Sequence, residues 1–119
     1  MKSEEIIKDW FAKWELGDVI NLPLAEDFRH TSPFGTIEGK KEYLDLVHAN
    51  KDKFLGYTFE IIDEIYEPTK GCIRYRSVQG DFSLDVSEWH YLENSLIKEI
   101  VAYYHIGEIR EERKLEQAD

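Results

Sequence analysis

The chain has 119 residues, room for one domain, and its 13% aromatic and 42% hydrophobic content excludes a wholly disordered chain. With 15 basic and 25 acidic side chains the formal net charge is −10, and no basic run appears, which argues against nucleic acid and against an anionic membrane surface as partners. The single cysteine, Cys72, cannot form an internal disulfide, and neither a CxxC pair nor a Cys/His cluster points to a metal; a cytoplasmic protein without metal or cofactor is expected.

In chain order, the spacing predicts a helix over residues 3–16. Ser3 is its expected N-cap, and Ile6, Ile7, Trp10, Phe11 and Trp14 form one apolar stripe ended by Gly17. A short turn follows over 19–22. Residues 25–33 read as an extended segment with Phe28, His30 and Ser32 on one face and Asp27, Arg29 and Thr31 on a solvated one. Residues 32–36 read as a turn, and a second helix is expected over 40–55, stopped by Gly56. The period then changes from 3.6 to 2. Strands are expected over 57–66, 72–78, 82–92 and 96–106, joined by short turns into an antiparallel meander. This gives a domain over 1–106 and a charged tail over 107–119, helical or disordered. Helices followed by a run of strands is the α+β pattern, and a long twisted sheet with helices on one face curls into a cone whose mouth suits a small molecule.

The third long strand carries the chemistry. Phe82, Leu84, Val86, Glu88, His90 and Leu92 share a face that is apolar except for two ionisable groups two residues apart. A carboxylate on such a face needs a partner, and Arg74 or Arg76 supplies one if either points the same way as Glu88. Ile73, Tyr75, Trp89, Tyr91, Val101 and Tyr103 are expected on the face turned away from the helices. An apolar patch of that size predicts a homodimer. His48 and His105 read as surface or interface histidines, and Cys72 as a small buried hydrophobe.

Four segments resemble the SnoaL-like branch of the nuclear transport factor 2-like (NTF2-like) superfamily, which includes ketosteroid isomerases, polyketide cyclases and limonene epoxide hydrolases. They are Trp14-Glu15-Leu16-Gly17-Asp18; Glu26 through Gly35 with Glu38-Gly39; Trp89-His90-Tyr91-Leu92-Glu93-Asn94; and Ile97-Lys98-Glu99-Ile100 leading into Tyr103-Tyr104. The resemblance implies a cystatin-like α+β barrel, a cone-shaped curved antiparallel sheet with helices on its concave face. It also implies a pocket at the open end and a dimer through the outer sheet face. By position, the general-base Asp of ketosteroid isomerases becomes Ser32, their oxyanion-hole Tyr becomes Trp10, and their protonated oxyanion-hole Asp becomes Glu88. One acid of the epoxide hydrolases falls near Ala102, where no acid stands.

Two functions follow as expectations. One is an isomerase-, cyclase- or hydrolase-type enzyme acting on an apolar, oxygenated small molecule. In it Glu88 holds an oxyanion or donates a proton, and His30 or His90 is the base. Trp10, Trp14, Ser32, Phe54, Arg74, Ala102 and Tyr104 contact the ligand. The other is a non-catalytic ligand-binding or scaffold dimer, favoured by the missing base at Ser32 and the missing phenol at Trp10.

Overall fold

The computed structural model describes residues 2–107 and residue 112. The first helix, α1 (Ser3–Leu16), buries Ile6, Ile7, Trp10, Phe11 and Trp14 along one stripe and carries Glu4 and Glu5 in its first turn, where the helix dipole favours acids. Lys2, not Ser3, is the N-cap, and no side chain caps the helix. Ser3 is instead the first helical residue, buried, and its hydroxyl donates to the Glu67 carbonyl, tying the helix start to the sheet. Gly17, at φ 77°, ends the helix. Its N–H donates to the Trp14 carbonyl at 3.1 Å and the Asp18 N–H to the Lys13 carbonyl at 2.9 Å, a Schellman closure.

After a 3-10 turn (Val19–Asn21) come β1 (Leu24–Ser32), β2 (Gly35–Glu38), α2 (Lys40–Ala49), α3 (Lys51–Phe54), β3 (Thr58–Glu67), β4 (Lys70–Gln79), β5 (Phe82–Glu93) and β6 (Leu96–Tyr103). The helix expected over 40–55 is divided at Asn50, whose side-chain amide donates to the Leu46 carbonyl at 2.9 Å and so competes with continuation of the helical ladder. The turn expected over 32–36 opens into β2, which pairs antiparallel with β1. The tail over 107–119 lies outside the described residues except at Gly107 and Glu112.

Six strands form one curved, open sheet in the order β2-β1-β6-β5-β4-β3. Every pair is antiparallel except β1 with β6, which run parallel, so the sheet is mixed where the sequence predicts an antiparallel one. The β5–β6 hairpin turns through Asn94 and Ser95, both at positive φ (53° and 63°), the conformation a two-residue primed turn requires. Register shifts between Ile61 and Asp63 and between Tyr91 and Leu92 bend the strands. The helices cover one face, and the core lies between α1, α2 and the sheet around Phe28, Val47, Ile73, Ile97 and Ile100.

Strand parity corrects part of the expected outer face. Ile73 pairs with Glu88 and Tyr75 with Val86, so both belong to the inner face and are buried. Arg74 and Arg76 take the outer face, opposite Ser87 and Asp85. The outer aromatic patch is therefore Trp89, Tyr91 and Tyr103 with half-buried Val101. Cys72 is half-buried on that outer side rather than in the core.

Candidate functional site

The curved sheet and the helices enclose a cavity of about 200 Å³. Much of its aromatic wall comes from five elements. Trp10, Phe11 and Trp14 project from α1, Tyr43 from α2, and Phe54 from α3, while Phe59 and Tyr75 project from β3 and β4. The 3.6-residue period of α1 aims its tryptophans at the sheet, and Trp14 stacks on Phe54 with centroids 6.3 Å apart. Exposed Lys53 and Phe82 mark the opening. Glu88, Tyr43 and Trp10, all buried, form the inner end.

Glu88 is 3% exposed and His90 fully buried. The Tyr75 hydroxyl donates to Glu88 Oε2 at 2.8 Å, and His90 Nε2 bonds to Glu88 Oε1 at 2.7 Å. Burial pushes the Glu88 carboxyl up. The hydrogen bond and charge of His90, the charge of His30 and the Tyr75 hydroxyl outweigh it and hold the carboxyl below its ordinary 4.5. Glu88 is thus an anion at neutral pH and an acceptor, not the proton donor that the expected oxyanion role requires. Among the described residues no arginine reaches it. Arg74 donates to Asp63 at 2.6 Å and Arg76 to Asp85 at 2.8 Å, both exposed on the outer face.

His30 lines the cavity from β1 and stacks on Tyr43 at 5.1 Å. Burial lowers its pKa from 6.5, and His90 adds to the lowering, against an upward pull from Glu88. Its ring is therefore neutral at pH 7 and able to accept a proton. Burial drives Tyr43 and Tyr75 well above 10, with the Glu88 charge adding to it, so both remain phenols.

Of the residues singled out in the sequence, Trp10, Trp14, His30, Phe54, Glu88, Ala102 and Tyr104 are brought together around the cavity. Ser32, Arg74 and His90 are not among its lining residues. Ser32 accepts the Phe34 N–H at 3.2 Å in the β1–β2 turn, and Arg74 is held outside by its pair with Asp63. His90 sits behind Glu88, against Trp10 and Phe11, with its Nδ1 unpartnered among the described residues. The sequence reading missed Tyr43 and Tyr75 as site residues. Tyr43 was legible as a helix-stripe aromatic. The role of Tyr75 turned on strand parity. The described residues contain no group of three or more His, Cys, Asp or Glu that could hold a metal, and no helix is long and apolar enough to cross a membrane.

No protein-family model and no curated protein matches the sequence. Solved structures do. An NTF2-like protein of unknown function from Cytophaga hutchinsonii superposes with a TM-score of 0.76 at 16% identity, over 88% of this chain and 91% of that one. A candidate ketosteroid isomerase from Kribbella flavida gives 0.72 at 15% identity, over 97% and 88%. A SnoaL-like protein of unknown function from Burkholderia thailandensis gives 0.67 at 18%, over 86% and 92%. The chain has the NTF2-like fold, the α+β cone that these proteins share. A fold of this kind hosts many chemistries, so the function is argued from the cavity.

Proposed function

We propose that the cavity binds a small, largely apolar molecule and that His30, assisted by the Glu88 carboxylate, acts on it by general acid/base chemistry of the isomerase or cyclase type. The observation that supports this most directly is that the Glu88 carboxyl and the His30 imidazole line one aromatic cavity, where their surroundings lower the pKa of each. His30 takes a proton from a substrate C–H beside a carbonyl; the electron pair of that bond forms a carbon–carbon double bond as the carbonyl π pair moves onto oxygen, leaving an enolate beside the imidazolium. The imidazolium then returns the proton to a second carbon, so atoms and charge balance over the cycle. Glu88 stabilises the imidazolium while it exists and orients the substrate. His90 and Tyr75 position Glu88. The test is solvent deuterium exchange into one-ring β,γ-unsaturated ketones, followed by NMR in D₂O. Catalysed exchange that falls about 10²- to 10⁴-fold in His30→Ala supports the reading. Exchange unchanged by that variant, or none above buffer, overturns it.

The runner-up is a non-catalytic ligand carrier. It is favoured by Ser32, which stands where the related isomerases carry their base and is engaged in a turn outside the cavity. A ligand that co-purifies and is released unaltered is its signature. In either reading we propose self-association through Trp89, Tyr91 and Tyr103 on the outer face, where Trp89 and Tyr91 stack at 6.4 Å and Tyr103 is 61% exposed.

A further inference from the structure

Glu88 places one demand on any molecule that enters. Its two oxygens each already accept one hydrogen bond, from Tyr75 on β4 and His90 on β5. A carboxylate offers about four lone-pair sites, so capacity for further donors remains, and it offers no proton of its own. The other groups facing it are His30 from β1 and Tyr43 from α2. None of these four is a lysine or an arginine, and the nearby arginines are turned outward and paired with Asp63 and Asp85. The rest of the lining is mainly aromatic, Trp10, Trp14, Phe54 and Tyr104 among it, with Ser77, Leu84, Val86 and Ala102 between the rings. Aromatic faces around a carboxylate attract a cation from two sides, by the ring quadrupole and by charge.

We propose that the cavity takes a small organic amine in its protonated form, with the ammonium against the Glu88 carboxylate and a one-ring apolar body among the aromatic side chains. This rests on the reading of the cavity as a ligand site and names the ligand's class. Size limits the body. A dry apolar cavity of about 150 Å³ holds benzene, so about 200 Å³ holds one ring and a short arm, and a four-ring skeleton does not fit. The net charge of −10 draws cations toward the molecule. Lys53 is the one lysine of the lining among the described residues. It stands exposed at the opening, where water and salt screen it.

The test compares three probes of matched shape by calorimetry at pH 7: 2-phenylethylammonium, 2-phenylethanol and 3-phenylpropionate. Wild-type protein is expected to bind the amine at least about tenfold more tightly than the alcohol, with the carboxylate weakest. Glu88→Gln is expected to reduce the amine-to-alcohol ratio to about twofold or less while alcohol binding persists. An alcohol or carboxylate bound as tightly as the amine overturns the amine assignment and leaves the cavity as a ligand site. Failure of all three to bind at millimolar concentration overturns both. If Glu88→Gln does not fold, the wild-type series decides by itself.

Discussion

At the scale of one residue, Glu88 contributes to the acid stability of the fold. Its pKa is lower folded than unfolded, so the unfolded chain holds more protons below about 4.5. The stability it contributes is complete above that value and is lost as pH falls through the folded pKa. His30 works in the same direction in a higher window. Its folded pKa lies below 6.5, so acidification from neutrality first protonates the unfolded chain and weakens the fold. Melting temperature followed from pH 8 to pH 5 is expected to fall more steeply in wild type than in His30→Phe. Tyr75→Phe, which removes a hydroxyl from a buried carboxylate, is expected to cost about 2 kcal/mol by urea unfolding. His90→Phe removes the closest donor to Glu88. It is expected to move the acid limb of any activity or amine-binding profile to higher pH, a shift that mere loosening of the core does not produce. The sequence showed that Glu88 interrupts an apolar face. It did not show the partner, because Arg74 and Tyr75 are adjacent and on opposite faces, and only the β4–β5 register decides between them.

Among the elements, α1 packs closely on β4 at Gly71. A Cβ there would lie 2.7 Å from Ile7 Cδ1, 3.0 Å from Tyr66 Cδ1 and 3.2 Å from the Ile65 carbonyl oxygen. Gly71 pairs with His90 on the face that α1 covers, so the bare backbone lets the helix seat against the strand beside the site. Gly71→Ala is expected to destabilise by about 1–3 kcal/mol in denaturant unfolding, the cost typical of overpacking, whereas Gly80→Ala has open space and only its positive φ to contend with. Helix α1, the four long strands β3–β6 and their turns were legible because each carries its own period and breakers. The division of the second helix at Asn50 and the short β2 were not. The first depends on a side chain competing for a backbone carbonyl, the second on a partner strand that supplies its hydrogen bonds.

For the molecule as a whole, the proposed dimer is testable by sedimentation. Wild-type protein at tens of micromolar is expected to sediment as a dimer and Tyr103→Glu as a monomer, with the cavity retained. A wild-type monomer at that concentration would remove the proposal. The cone was legible from the order of helices and strands together with the four resembling segments, while the parallel contact between β1 and β6 was not, since nothing local distinguishes a parallel neighbour from an antiparallel one. That contact has a consequence for biogenesis. Arg29 on β1 meets Glu99 on β6 across 70 residues, an interval that a ribosome covers in roughly 4–14 s. Until β6 is made, β1 and β2 have no strand to join them to β5, so the sheet that covers the tryptophans of α1 stays in two pieces for the whole of that interval.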